Sequence, residues 1–514
     1  MEGYLQKILR ARVYEVAIET PLEEAKALSS KLNNNILIKR EDLQPVFSFK
    51  IRGAYNRMAQ LTNDDLKKGV VTSSAGNHAQ GVAISAKKLK SKAVIVMPIT
   101  TPEVKIKAVE DLQAEVILFG DTYDEAYKKA KEISKEEGLT FIHPFDDPEV
   151  IAGQGTIGIE ILRQIDSPPD VIYVAVGGGG LIAGVALYVK SLWPEVEIVG
   201  VEPQDAAAMT KSLKAGKRVS IDDVGLFADG VAVKEVGKNT FPIAKKYVNS
   251  MVTVTTDEIC AAIKDVFEES RSILEPAGAL AIAGLKLDIQ KRKLKNKTLV
   301  AISCGANMNF ERLRFVAERA ELGEKKEAML AVEIPEAPGS LKKLCQVLEN
   351  KSLTEFSYRM SEGSNAEIFM GVKISGSDGK DDLIKTIRGH KFRCIDLSED
   401  ELSKVHLRHM VGGRLTIKAL SLINNDFHEL LYRFEFPEKP GALMRFVSTM
   451  NPEWSISIFH YRNHGADIGR IVIGVLVEKN QLQEWHDFVL KIGYKYWDET
   501  NNPAYKLFLG AQSQ

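Results

Sequence analysis

Residues 171–190 read VIYVAVGGGGLIAGVALYVK. A short apolar run rich in β-branched residues meets four glycines, and apolar residues then continue at helical spacing. The first part is the pattern of a strand buried on both faces of a parallel sheet, and the second supplies its covering helix. Glycine loses more conformational freedom on folding than any other residue, so four in a row point to a backbone requirement. The requirement that fits a helix N-terminus is close approach of its N–H groups to a phosphate.

The same alternation spreads outward in both directions. Residues 35–39 (NILIK), 93–97 (AVIVM), 115–119 (EVILF), 197–201 (EIVGV) and 298–302 (TLVAI) read as further strands, and 123–137 and 156–164 as helices. Up to about residue 320 the chain is therefore expected to be an α/β domain with parallel sheets, which bind ligands where their strands end. Two more loops stand at such ends. Ser48-Phe49-Lys50-Ile51-Arg52-Gly53-Ala54 follows NILIK and a polar turn over residues 40–45, and opens a helix. A lysine in a first helical turn opposes the helix dipole. It is either a surface residue or a Schiff-base lysine whose ammonium is destabilised by burial and by the positive helix end. Residues 73–81 (SSAGNHAQG) follow the strand Val70-Val71-Thr72 and open another helix. Their small side chains leave N–H groups open to a carboxylate or phosphate; the plainer alternative makes Ser74 an N-cap and His78 an ordinary first-turn residue.

The glycine turn by itself allows a dinucleotide site, because Gly178-x-Gly180-x-x-Ala183 fits that fingerprint and Glu202 follows at about 20 residues, where a ribose-binding acid is expected. That reading leaves the loops around Lys50 and Asn77 unexplained, and the turn comes late in the chain rather than after its first strand.

Composition narrows the class. A length of 514 residues suggests about three domains, and 45% hydrophobic with 27% charged residues is a globular balance. Sixty-eight basic residues face 69 acidic ones, so no net field recruits nucleic acid or an anionic membrane. The basic run Lys291-Arg292-Lys293 with Lys295 and Lys297 reads as a solvated helix end. Cys260, Cys304, Cys345 and Cys394 are widely spaced without a CxxC pair, which fits a reducing compartment and gives no zinc site. The N-terminus lacks an apolar h-region, and no run of 18 apolar residues occurs, so a cytoplasmic location is expected. No metal site is expected; Glu202 and Asp229 could join a cation site but are better read as salt-bridged or solvated.

From about residue 328 the texture changes and a repeat begins. Residues 331–341 (AVEIPEAPGSL) match 433–443 (RFEFPEKPGAL), and 356–359 (FSYR) match 459–462 (FHYR), at offsets of 102 and 103 residues. Each copy reads strand, Pro-Gly turn, helix, strand and a further strand, the outline of a small ferredoxin-like α+β module. Residues 409–425, with Gly412-Gly413, read as the linker between copies.

Taken together, Ser48-Phe49-Lys50, Ser74-Ala75-Gly76-Asn77-His78, Gly177-Gly178-Gly179-Gly180 and Ser303-Cys304-Gly305-Ala306-Asn307 resemble the fold-type II pyridoxal phosphate (PLP) enzymes, the tryptophan synthase β family. Residues 39–42 (KRED), 49–55 (FKIRGAY), 227–232 (FADGVA) and 275–279 (EPAGA), with the Pro-Glu-x-Pro-Gly repeats, are similar to the threonine deaminases and their ACT-like regulatory regions. The resemblance implies a PLP-dependent catalytic domain over 1–322 and ACT-like modules over 328–408 and 426–511. It implies that Lys50 carries PLP with Phe49 packed nearby. Gly177, Gly178, Gly179, Gly180 and Leu181 would hold the phosphate, and Asn77 the 3′ oxygen. The loop of Ser74, Ala75, Gly76, Asn77 and His78 would receive the substrate carboxylate. The place facing the pyridine nitrogen is usually serine or threonine in these deaminases and here aligns with Cys304; relatives acting on serine can carry cysteine there. The implied activity is conversion of L-threonine to 2-oxobutanoate and ammonia in isoleucine synthesis, by a homotetramer that isoleucine inhibits and valine activates. Tyr358 and Tyr461 are the expected effector contacts. The alternatives are a serine deaminase, racemase or β-replacement enzyme on the same scaffold, or a non-catalytic amino-acid sensor; Lys50 argues against the sensor.

Overall fold

A computed structural model of the chain describes residues 2–335, 343–344, 347–348, 351, 353–358, 365–374, 376–407, 427–437, 449–451, 454–462 and 468–508. It divides into two compact units, Met1–Ala320 and Glu321–Gln514.

In the first unit the strands are β1 (Leu22–Glu24), β2 (Asn35–Lys39), β3 (Val70–Ser73), β4 (Ala93–Met97), β5 (Glu115–Leu118), β6 (Thr140–Phe141), β7 (Val171–Ala175), β8 (Glu197–Pro203), β9 (Ser250–Val254) and β10 (Thr298–Ile302). They form a six-stranded sheet of order β1-β2-β10-β7-β8-β9 and a four-stranded sheet of order β5-β4-β3-β6. Every pairing is parallel except β1 with β2. All five residues of β4 and of β7 are buried, as continuous apolar runs require when helices cover both faces.

Registry brings the motif-bearing strand ends together. Leu299 of β10 lies opposite Ile36 of β2 on one side and Val171 of β7 on the other. The loops that leave these three neighbours carry Lys50, Cys304 and the glycines. Helix α1 (Lys50–Met58) follows β2, α2 (Asn77–Leu89) follows β3, α3 (Pro148–Arg163) follows β6, α4 (Gly180–Leu192) follows β7, and α5 (Pro276–Arg292) precedes β10.

The structure departs from the sequence reading in places. The run EVILF yields only Glu115–Leu118, a sheet edge with no fully buried residue. The helix expected from residue 156 begins at Pro148, where Asp147 caps it by accepting from the Glu149 and Val150 N–H groups. Gly153 and Gly155 sit inside that helix and mask its apolar periodicity.

The second unit repeats one topology. Strands β11 (Glu327–Pro335), β12 (Leu353–Tyr358), β13 (Asn365–Lys373) and β14 (Arg393–Asp396) form an antiparallel sheet of order β12-β13-β11-β14. Strands β15 (Phe427–Pro437), β16 (Ser455–Arg462), β17 (Ile468–Glu478) and β18 (Lys495–Asp498) give the matching order β16-β17-β15-β18. Helices α6 (Gly376–Gly389) and α7 (Leu482–Ile492) each join the third strand to the fourth. The copies share even a register shift, between Leu353 and Glu355 and between Ile456 and Ile458. This strand order is the ferredoxin-like one, so the tandem strand pattern read from the repeat is present, while the Pro-Gly turns at 338–339 and 440–441 lie outside the described residues. Tyr358 and Tyr461 stand near the ends of β12 and β16, but their side chains, like residues 409–425, lie outside the described residues.

Candidate active site

One pocket gathers most of the singled-out residues. Phe49, Lys50, Asn77, Gly177–Gly180, Leu181 and Cys304 line it, together with Phe145, Gly230, Val231, Glu275 and Ala277. The wall belongs to the ends of β2, β7 and β10 on the side of the six-stranded sheet and to the end of β3 on the other.

Lys50 is the first residue of α1. Its Nζ donates to the Pro144 carbonyl at 2.9 Å, which holds the amine at the pocket wall. Desolvation pushes the ammonium down to about 8, with Cys304 and Glu275 pulling the other way. An amine so placed is available unprotonated within reach of neutral pH, as a Schiff-base or proton-accepting lysine must be.

Facing it, Gly177 and Gly178 leave β7, and Gly179 is the N-cap of α4 with φ of +93° and no side-chain cap. The N–H groups at this helix start therefore have no side-chain oxygen on them, the condition for binding an anion. The Gly178 carbonyl points away, accepting from Thr240 Oγ1 at 2.6 Å and from the Gly237 N–H at 3.1 Å. The helix start at Asn77 is similar: Gly76 is its N-cap without a side-chain bond. Ser74 is not the N-cap; its Oγ accepts from the Gly76 N–H at 3.3 Å. Ser74, Ala75 and Gly76 are half-buried beside this helix end. His78 points elsewhere: its ring is buried with Nε2 3.1 Å from the Ile142 carbonyl, and burial, then Lys50, push it down to about 3.

Asn77 is tied on both sides, donating through Nδ2 to Glu275 and accepting through Oδ1 from Asn307 Nδ2 at 2.7 Å. Burial, then Asp229, push the Glu275 carboxyl up to about 7, while the Asn77 bond lowers it. Cys304 is buried, its Sγ 3.3 Å from the Ala277 carbonyl oxygen. Burial raises the thiol well above its ordinary value, so an uncharged thiol lines the pocket, its S–H directed to that carbonyl. Ser303 is buried outside the pocket lining, and its Oγ has no hydrogen-bond partner among the described residues.

Glu275, Asn307, Phe145, Gly230 and Val231 were not singled out as site residues in the sequence. Glu275 and Gly230 fell inside quoted motifs, and Asn307 ended the Ser303–Asn307 loop; only tertiary proximity marks their part. Glu202 is no ribose acid here: it takes the Met209 and Thr210 N–H groups and Thr210 Oγ1, closing a helix start. Asp229 pairs with Lys105 at 2.6 Å and with Arg312 at 3.1 Å.

These residues fit pyridoxal phosphate. An amine with a lowered pKa, two helix starts without side-chain caps, a tethered carboxamide and an uncharged thiol meet in one pocket. An anion would find donors at both helix starts.

Comparisons with known proteins agree. Residues 13–305 match the family of pyridoxal-phosphate dependent enzymes, and residues 318–407 and 420–509 each match the C-terminal regulatory domain of threonine dehydratase. The chain is 55% identical to the biosynthetic L-threonine dehydratase of Burkholderia multivorans over 98% of this chain and 99% of that protein. It is 50% identical to the chloroplastic biosynthetic threonine dehydratase of Arabidopsis thaliana, over 98% of this chain and 84% of that one. The solved processed form of threonine deaminase isoform 2 from Solanum lycopersicum is 54% identical and superposes with a TM-score of 0.61, covering 62% of this chain and 93% of that one. The chain belongs to the biosynthetic threonine dehydratase family of pyridoxal-phosphate dependent enzymes and carries that family's duplicated regulatory domain.

Proposed function

We propose that the chain converts L-threonine to 2-oxobutanoate and ammonia as the first step of isoleucine biosynthesis, under feedback control through its C-terminal repeat. The observation that carries this reading is the Lys50 amine, desolvated and facing an uncapped glycine-rich helix start across one pocket, in a chain matched end to end by threonine dehydratases.

When bound, pyridoxal phosphate supplies an electron sink for the charge left at the substrate Cα. Lys50 is the residue that carries the cofactor, and its Nζ takes the Cα proton. The N–H groups of Gly177, Gly178, Gly179, Gly180 and Leu181 hold the phosphate, with Phe49 packed nearby. Asn77 offers an N–H to the 3′ oxygen. The start of α2, from Ser74 through His78, takes the substrate carboxylate on backbone N–H groups, the ring of His78 staying in the core. Cys304, as a neutral thiol, leaves the ring nitrogen unprotonated. Held so, the cofactor would supply a weaker electron sink than one paired with a carboxylate, which suits loss of the β-hydroxyl rather than transamination.

Residues 1–322 form the catalytic part, and 328–408 and 426–511 the regulatory modules, with isoleucine as inhibitor, valine as activator, and Tyr358 and Tyr461 at the effector sites. The assembly is a homotetramer in the cytoplasm; among the described residues no helix is long and apolar enough to cross a membrane. The test incubates the cofactor-loaded protein with threonine or serine and separates 2-oxobutanoate from pyruvate. Faster release from threonine, abolished in Lys50→Ala, supports the proposal. A preference for serine would move the assignment to a serine deaminase, and no 2-oxo acid from either would refute it.

A further inference from the structure

The loop after β10 carries Cys304-Gly305-Ala306-Asn307, and the proposed chemistry uses only its cysteine. The rest of the motif acts on Asn77. An asparagine carboxamide can be placed either way round, and its surroundings must decide which end donates. Here they do so unambiguously. Asn307 Nδ2 lies 2.8 Å from the Val46 carbonyl oxygen, which can only accept. The same nitrogen lies 2.7 Å from Asn77, so the atom of Asn77 that faces it is the acceptor Oδ1. Asn77 Nδ2 is thereby turned to Glu275 Oε1, an acceptor. Flipping Asn77 would set its NH2 against the Asn307 NH2 and its carbonyl against the Glu275 carboxyl, losing the Asn307 bond outright and the Glu275 bond whenever that carboxyl is ionised. An amide nitrogen carries two hydrogens; one is committed to Glu275, which leaves one for the pocket that Asn77 lines.

We propose that Asn307 and Glu275 are positioning residues that fix the flip of the Asn77 carboxamide, so that an N–H rather than the carbonyl meets the anionic 3′ oxygen of the cofactor. Gly305 belongs to the device. A methyl at that position would overlap Glu275 Oε1 and stand 3.2 Å from Asn77 Nδ2, so the residue must be glycine for the pair to meet. Glu275 can accept through Oε1 whether or not its other oxygen holds a proton. The inference rests on the reading that Asn77 serves the cofactor, and its test separates the two.

Apo protein is titrated with pyridoxal phosphate, and the visible band of the resting holoenzyme is recorded, so neither readout depends on turnover. Asn77→Ala sets the scale for losing the contact. Asn307→Asp places an acceptor against both the Val46 carbonyl and Asn77 Oδ1. It is expected to weaken cofactor binding about tenfold and to shift the band, as lost hydrogen bonds to a charged atom do. Asn307→Leu, which keeps the volume and removes the donor, serves in its place if the aspartate variant fails to fold. Glu275→Leu is expected to behave likewise, whereas Glu275→Gln keeps an acceptor and is expected within about threefold of wild type. An effect of Asn77→Ala alone, with the Asn307 and Glu275→Leu variants unchanged in affinity and spectrum, would overturn this inference and leave the cofactor contact standing. A loss in Glu275→Gln as large as in Glu275→Leu would remove Glu275 from it. No change in Asn77→Ala would overturn the reading of Asn77 itself.

Discussion

Replacing Gly179 by alanine isolates the contribution of the glycine turn. Its φ of +93° is a conformation that side chains other than glycine's rarely adopt, and forcing an L-residue into such a left-handed region costs roughly 1–2 kcal/mol. The added methyl would also stand 2.7 Å from Met209 Cε and 2.9 Å from Thr240 Oγ1. The methionine tip can move aside. Thr240 cannot do so without giving up its 2.6 Å bond to the Gly178 carbonyl, worth about 1 kcal/mol. The native turn then lies about 2–3 kcal/mol above a relaxed one, and binding that must restore it weakens by about 30- to 150-fold. The control is Gly216→Ala. Gly216 also has positive φ, +68°, but a methyl there meets nothing nearer than Lys245 Nζ at 3.9 Å. It ends the helix Ala208–Ala215, away from the pocket lining. Equilibrium titration with pyridoxal phosphate, with thermal melts of both apo proteins, should show backbone destabilisation in both variants, the smaller in Gly216→Ala, but lost affinity only in Gly179→Ala. Affinity within threefold of wild type in that variant would refute the assignment of the turn to the phosphate.

Three further expectations concern Cys304, the division between the two units and the repeat motif. Cys304→Ser should keep deamination within about tenfold, or 1.4 kcal/mol of barrier, because both side chains are weak partners for an unprotonated ring nitrogen; Cys304→Asp should protonate that nitrogen, slow elimination and raise side reactions, and an aspartate variant as fast as wild type would contradict the electronic argument. Truncation after residue 322 should leave an active enzyme indifferent to isoleucine, since the pocket lies wholly within Met1–Ala320; a folded, cofactor-loaded but inactive truncate of unchanged oligomeric size would count against it. Tyr358→Leu or Tyr461→Leu should raise the half-inhibitory concentration of isoleucine and spare basal turnover. Isoleucine and valine differ by one methylene, a difference a pocket reads at about 1–3 kcal/mol, so the opposed effects proposed for them would require unequal affinity for two states; unchanged inhibition in both variants removes these tyrosines from the proposed effector site.

Much of this was legible along the chain because the informative features are local. An apolar run, a glycine turn and a helix pattern sit within twenty residues at 171–190, and the strand reading there missed only the end of β7, at Ala175. The repeat was legible because two copies of a turn motif align. What escaped depends on contacts between distant segments. Residues 40–45 read as a polar turn after the strand that ends at Lys39, yet Lys39, Arg40, Glu41 and Asp42 are all buried. Arg52 of α1 explains part of this, pairing with Glu41 at 2.7 Å and with Glu160 of α3, which in turn takes Lys39 at 2.7 Å. A buried charge lacking its partner would be costly, and the partner here stands more than a hundred residues away. Glu275 and Asn307 escaped for the same reason: each acts through Asn77, some two hundred residues earlier in the chain.

Reductive trapping identifies the lysine that carries the cofactor, which is expected to be Lys50. Borohydride added to the cofactor-loaded protein fixes pyridoxal phosphate to whichever lysine holds it, and peptide mass mapping then locates the adduct. One modified peptide, containing Lys50, is expected, and none from Lys50→Ala treated in the same way. An adduct on another lysine of the wild-type protein, or no adduct in a protein that deaminates threonine, would contradict it.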